Sequence, residues 1–378
     1  MLVTSKGVLN ILRERGEVNE KKILWLLLAV CLVMTMATAC SNAGASAPNE
    51  NATTSFTDTT GRTVEVPTNI TKIVPSGSLA QMALFALAPE KFVGITSAWT
   101  DLNKQYIDTK YYELPVLGQF YGMKNLNLEE IARVNPQIII DIGDAKKTVV
   151  EDMDAIQTQV GIPAVHIEGT MDKMAEAYRT LGKLLNMEKD GETLAKYCEK
   201  TNSDTQAIMD KVGEAGKVKV VYCMGDNGLN VIAKGSIHAE VIDKVSNNMA
   251  VLDSVSSMGT GDTVSMEQLL LWDPDVIIFA PGSIYSTVVA DPAWQQLTAI
   301  KNGKYYEVPN GPYNWMGFPP SVNRYMGEIW MTQLLYPDQA KYNVYDKAKE
   351  YYKLFYHSDL TQDQYNALVA NSIAKTAK

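Results

Sequence analysis

Histidine is scarce in this chain of 378 residues: there are three, His166, His238 and His357. No two lie within four positions of each other, so no single helix turn carries the paired imidazoles of a local zinc site. The Gly-x-Ser-x-Gly elbow, the phosphate loop ending in Gly-Lys-Ser/Thr and the Gly-x-Gly-x-x-Gly fingerprint are all absent. A scattered Ser-His-Asp set remains open in principle, with His166 or His238 as its base. Yet His166 sits in Pro163-Ala164-Val165-His166-Ile167, a run that reads as a strand in which it is a satisfied partner. Cysteine is equally thin, four in total. Cys198 falls in a helical pattern and Cys223 in a strand pattern, which suggests two buried thiols rather than a disulfide. Positive charge is short as well, with 34 Lys and Arg against 43 Asp and Glu. A chain this acidic is a poor partner for nucleic acid, whose phosphates demand Lys and Arg.

Only one long apolar run is present. Lys21-Lys22 precede Ile23 to Ala39, interrupted by Thr35 and Thr38, and the small residues Ala37-Thr38-Ala39 lead into Cys40. Basic start, apolar stretch and small-residue cleavage site make an export signal over residues 1–39. The run is short against the roughly 20 residues of a spanning helix. Cys40 then opens a polar, small-residue segment to residue 55 with the composition of a flexible tether. This order resembles that of a bacterial lipoprotein signal, with Cys40 as the lipidated residue and the outer face of the cell membrane as the location; a cleaved but unlipidated signal and an uncleaved anchor in which Cys40 is incidental are the alternatives.

The rest is organised by a repeat. Leu126 to Ile140 reads as a short amphipathic helix, an Asn-Pro stop and a buried strand, and Val264 to Ile278 repeats it with Asp-Pro. Leu128, Ile131 and Val134 recur at helical spacing, as do Met266, Leu269 and Leu270. Glu129 and Glu267 hold the same place in the two copies. The spacing is too long for a solenoid; it indicates two similar α/β lobes. Their expected limits are 56–169 and 217–378, with residues 170–216 as a helical connector dominated by a rigid helix over Gly191–Val212. Further elements are a hairpin over 56–67, strands at Lys72–Val74, Phe92–Ile95 and Val218–Met224, and a late helix capped by Ser321 with Arg324 in its first turn.

Ligands of open α/β sheets gather outside the carboxyl ends of the strands. Loops placed there carry Ser76 and Ser78 ahead of a helix; Trp99; Tyr121; and Tyr313, Asn314 and Trp315. Flat rings, hydroxyls and the fixed charge of Arg324 suit a bulky ligand held by stacking and a few hydrogen bonds.

Taken together, the export signal, the two lobes joined by a long helix and the repeated Glu…Pro-x-x-Ile-Ile unit resemble the solute-binding proteins of ABC importers, in the branch for iron-siderophores, haem and cobalamin. The resemblance covers Phe56 to the C-terminus. It implies two Rossmann-like lobes, a monomer without catalysis or resident cofactor, and an iron complex or corrinoid in the cleft. It also implies that Ser76, Gly77, Ser78, Phe120, Tyr121, Tyr313, Asn314, Trp315 and Arg324 face the ligand, and that Glu129 and Glu267 pair with arginines of a membrane permease served by an ATPase. Relatives that take bare zinc or manganese use a histidine-rich cleft that this chain lacks. The alternatives are the same fold carrying molybdate, tungstate or a nickel chelate, and an exported chelatase or hydrolase.

Overall fold

In the computed structural model, residues 52–121, 125–256 and 259–373 are described. The expected signal over 1–39, Cys40 and most of the tether lie outside those residues. The chain opens with an antiparallel hairpin, β1 (Thr53–Thr57) and β2 (Thr63–Pro67). The buried Asp58 carboxylate closes its turn: it accepts the backbone N–H groups of Thr60 and Arg62 and pairs with the Arg62 guanidinium at 3.1 Å. Strand β3 (Ile73–Pro75) runs through Ser76-Gly77 into helix α1 (Ser78–Leu87), and a short α2 (Asp101–Lys104) follows. The first half continues with α3 (Leu128–Val134), β4 (Ile138–Gly143), α4 (Val149–Val160) and β5 (Ala164–Glu168). Strands β3, β4 and β5 pair in parallel in that order. All of β3 and β4 is buried, which is what strands covered on both faces require and why they read as unbroken apolar runs.

Helices α5 (Met174–Leu185) and α6 (Glu188–Val212) separate this sheet from the next. The 25 residues of α6 span roughly 37 Å at 1.5 Å per residue. The second half contains β6 (Lys219–Met224), β7 (Asn230–Val231), α7 (Glu240–Val245), β8 (Asn247–Asn248), β9 (Asp262–Thr263), α8 (Met266–Trp272), β10 (Val276–Phe279), α9 (Thr298–Lys301) and β11 (Tyr305–Glu307). Its sheet runs β11-β10-β6-β7-β9 with β8 beside β6, and β11, β10 and β6 are mutually parallel. Helices α10 (Arg324–Leu335), α11 (Val344–Phe355) and α12 (Gln362–Leu368) complete the chain. Among the described residues no helix is long and apolar enough to cross a membrane.

The repeat folds the same way twice. Helices α3 and α8 are both seven residues long and start from a polar N-cap, Asn127 or Ser265, whose side chain accepts the N–H of Glu130 or Gln268. Each ends on a left-handed residue, Asn135 at φ 48° and Asp273 at φ 35°. This is the stop expected of the Asn-Pro and Asp-Pro pairs: the turn is made by the residue before proline, which Pro136 or Pro274 bars from continuing the helix. Each helix buries one residue, Ile131 or Leu269. The following residues, Gln137 and Asp275, donate their N–H to the carbonyls of Lys72 and Lys219, both at 2.9 Å. Their side chains also receive the N–H groups of those lysines, at 3.0 and 3.1 Å, so each copy ties its central strand to the start of the first.

Two expectations fail locally. Phe92–Ile95 forms no strand: Phe92 bridges Ile73 and Ile95 bridges Val116 singly, so the segment passes from one partner to another without the consecutive pairs a ladder needs. Ser321 does not cap α10. Asn323 holds that position, and the Ser321 hydroxyl crosses instead to the Leu79 carbonyl at 3.0 Å.

The largest core does not respect the halves. It joins Ile138 and Ile140 of β4 with Tyr222 of β6, Ile278 of β10, and Tyr351, Tyr352 and Phe355 of α11. Helix α6 packs on α5, within the connector, and on α10 of the second half, so the long helix is held along two faces. Truncating the single buried anchor of a repeated helix, Ile131→Ala or Leu269→Ala, is expected to cost about 2–4 kcal/mol in urea unfolding. Leu271→Ser, at a position 79% exposed, is expected to stay within about 0.5 kcal/mol.

Candidate functional site

Two adjoining cavities lie where the first half meets the loop after β11. One, of about 310 Å³, is lined by the start of α1 (Ser76 to Ala80), Tyr121, the end of β4 from Asp141 to Asp144, Lys146 and Pro319. The other, of about 340 Å³, is lined by Ser78, Gln81, the Thr96–Asn103 segment, Asn310, Pro312, Tyr313, Phe318 and Pro319. Ser78 and Pro319 belong to both, so the first turn of α1 stands between them. Its N-cap is Gly77, with no side chain to satisfy the opening N–H groups. The first turn, at the positive end of the helix, borders both cavities, an arrangement that welcomes an anion.

Gln81 holds the second wall in place: its Oε1 accepts the Thr96 N–H and hydroxyl at 2.8 and 2.9 Å. Opposite, the Pro309–Arg324 loop is knotted around Asn314. The Asn314 amide donates to the Tyr222 hydroxyl at 3.2 Å and its carbonyl oxygen accepts the Met316 N–H at 2.7 Å. Trp315 and Met316 are thereby turned into the core, fully buried, while Tyr313 and Phe318 line the cavity. His238 props Phe318 by stacking at 4.8 Å between centroids, and the His238 Nδ1 lies 3.0 Å from the Gly317 carbonyl.

Of the residues proposed from sequence, Ser76, Gly77, Ser78, Trp99, Tyr121 and Tyr313 line these cavities. Trp99 shows little of itself, since its indole N–H is spent on the Tyr111 carbonyl at 2.8 Å and its ring packs on Phe85. Phe120 is fully buried in the core beneath Val74 and Ile139. Asn314 and Trp315 are inward as described, and Arg324, 1% exposed, donates to the carbonyls of Ser321 and Ile237 and pairs with the Glu240 carboxylate. Burial lowers Arg324 to about 10, which still leaves it charged at neutral pH. None of these four lines either cavity. Glu129 and Glu267 are both exposed; Glu267 is held below the usual carboxylate range by its own backbone N–H and the Ser265 hydroxyl.

Sequence reasoning passed over Lys146 and Asp141. Lys146 is exposed, with its ammonium 5.4 Å from the Tyr121 ring centroid, and gives the first cavity a positive charge. The signal was available, because the loop after Gly143 leaves the carboxyl end of β4 as the chosen loops leave theirs. Asp141 was hidden within an apolar strand. Its Oδ1 accepts the Ser76 hydroxyl and its Oδ2 lies 2.6 Å from His166 Nδ1, so that Ser76, Asp141 and His166 form a row across three neighbouring strands. His166 and His238 are both buried. Among the described residues no three His, Cys, Asp or Glu side chains are grouped to hold a metal ion.

A family model described as periplasmic binding protein matches residues 79–312. The molybdate-binding protein MolA of Haemophilus influenzae is 22% identical over 332 residues, 82% of this chain and 92% of that protein. The Fe(3+)-citrate-binding protein YfmC of Bacillus subtilis is 27% identical over 186 residues, 48% of this chain and 56% of that protein. Among solved structures, an ABC transporter solute binding protein from Sulfurospirillum deleyianum superposes with a TM-score of 0.76 at 28% identity, covering 84% of this chain and 99% of that one.

Burial lowers the His238 pKa, the Gly317 carbonyl opposes this, and Arg324 adds to the lowering. An unfolded histidine takes up its proton near pH 6.5, so below that value the unfolded chain binds a proton the folded one resists. Stability is expected to be full above about pH 6.5 and to fall as pH drops through it. Urea midpoints measured from pH 7.5 to 5 should decline less steeply in His238→Asn.

Proposed function

The chain belongs to the periplasmic binding protein family, and from that premise we propose that it is the solute-capturing component of an ABC importer, taking a small anionic metal species into the crevice at the start of α1. Proteins of this family bind substrates for transport and are not enzymes, and they act outside the cytoplasm. Export by residues 1–39 and a lipid on Cys40 would keep the protein at the membrane face, as a monomer beside its permease and ATPase. The halves 56–169 and 217–378, joined through 170–216, would close on the ligand by a small movement, since the clamped α6 and the shared core resist a large one.

The observation that carries the nature of the cargo is the open N-terminus of α1 set between two cavities, with Lys146 beside it. Both features favour negative charge. Volumes of about 310 and 340 Å³ stand at the lower end of the range for small-molecule sites, and the rings of Phe120 and Trp315 are withdrawn. A ferric chelate of the hydroxycarboxylate kind fits this lining better than a haem or corrinoid. A molybdate-type oxyanion is the second reading, favoured by the same helix terminus and by the MolA relationship.

An aspartate in place of Gly77 would cap α1 with its own carboxylate. Gly77→Asp is therefore expected to leave stability unchanged or higher, within about 0.5 kcal/mol, while weakening ferric citrate binding about tenfold or more. A melting curve and a calorimetric titration check this, and tighter binding would sink the anionic-cargo reading. For docking, the double charge reversal Glu129→Lys/Glu267→Lys is expected to reduce cellular uptake by about tenfold or more, with cargo affinity intact. Normal uptake by that variant would remove both glutamates from the permease contact.

A further inference from the structure

The repeat makes one comparison possible that a single lobe would not. Registers place Asp141 beside His166 in the first sheet and Phe279 beside Cys223 and Glu307 in the second. Ser76 extends the first row, its N–H bonded to the Ile140 carbonyl at 3.0 Å. Where the first half has Ser76, Asp141 and His166, the second has Cys223, Phe279 and Glu307, the first two of them buried in an apolar core. The scaffold is thus built equally well without a carboxylate at the centre of the row. A buried charge that the fold does not need carries a desolvation cost, and Asp141 stands on the wall of the first cavity with its side chain 9% exposed.

Resting on the binding role argued above, we propose that Asp141 is the specificity-determining residue of the crevice, selecting a ligand that carries an O–H donor, either a hydroxyl or a metal-bound water, next to its anionic oxygens. The hydroxyl proton of Ser76 is committed to Asp141 Oδ1, so the Ser76 oxygen can offer only lone pairs to a ligand. Asp141 is an acceptor at both oxygens, held by Ser76 and by His166. His166 Nε2 has no partner among the described residues, so the ring is anchored only through its Asp141 side. Where Ser76 and Asp141 border the cavity they therefore present acceptors, while the start of α1 and Lys146 supply donors nearby. A ligand with acceptors on one side and a donor on the other satisfies both. A fully deprotonated tetrahedral oxyanion meets the donors but sets bare oxygen against the Asp141 carboxylate, a like-charge and acceptor–acceptor clash that discriminates strongly in a closed site.

The test is calorimetric titration of wild type and Asp141→Asn with ferric citrate and with sodium molybdate at pH 7. An amide keeps the shape and removes the charge. Asp141→Asn is expected to bind molybdate at least tenfold more tightly than wild type does, and ferric citrate at least tenfold more weakly. Equal changes for the two ligands, or none, overturn the role of Asp141. Wild type alone gives a second measure should the variant fail to fold: molybdate must bind it at least tenfold more weakly than ferric citrate, and the reverse order overturns the proposal. Binding of neither ligand by either protein overturns the cargo reading and this inference with it, whereas wild-type binding that the substitution leaves untouched removes only the inference.

Discussion

Helix α1 is buried from Ala80 to Leu87, and the crevice takes its geometry from the way that helix is held. Its first turn is gripped through Gln81, which fastens the Thr96 segment, and Leu79, whose carbonyl receives the Ser321 hydroxyl from the other half. Near its far end the Phe85 carbonyl is met by His357 Nε2 at 3.1 Å, on the segment that follows α11. A helix fixed at both ends by elements remote in sequence cannot tilt without breaking contacts in both halves. Its N-terminus is therefore a rigid source of N–H donors, which is what a binding site needs if little affinity is to be lost in ordering it.

Duplication explains the frame and not the site. Both copies use a polar N-cap, one buried anchor, a left-handed Asn or Asp and a proline, and both deliver a parallel strand to the centre of a sheet in the same register. Those constraints are local and backbone-level, so they survive divergence. The residues filling the equivalent positions at the carboxyl edges are free to differ: a Ser-Asp-His row in one sheet, Cys223, Phe279 and Glu307 in the other. The buried polar row belongs to the half that carries the uncapped helix, while the second half adds Tyr313, Phe318 and Pro319 to the cavity walls.

Core and crevice also compete for the same aromatic residues. The loop before α10 holds Tyr313, Trp315 and Phe318 within six positions. Asn314 decides between them, because its amide bonds Tyr222 and Met316 and so rotates the intervening backbone. Tyr313 and Phe318 are left at the wall, and Trp315 goes to the interior. Arg324 is drawn inward in the same way, since a pairing carboxylate on Glu240 and two carbonyls satisfy its guanidinium away from the crevice.

Periodicity and helix-stop chemistry alone were enough to establish two α/β halves, the long helix between them and the matched places of Glu129 and Glu267, and the strand-to-helix pattern placed the Ser76-Gly77-Ser78 turn where a cavity is found. These are properties of short segments, where spacing and backbone preference act directly. The inward turn of Phe120, Trp315 and Arg324, the withdrawal of the Trp99 indole, the arrival of Lys146 and Asp141 at the cavity, and the fusion of both halves into one core were decided only by tertiary structure. Each depends on which of several chemically suitable side chains finds its hydrogen-bond or packing partner, and partners such as Tyr222 for Asn314, Glu240 for Arg324 and Ser76 for Asp141 lie 65 or more residues away, where no local pattern records them.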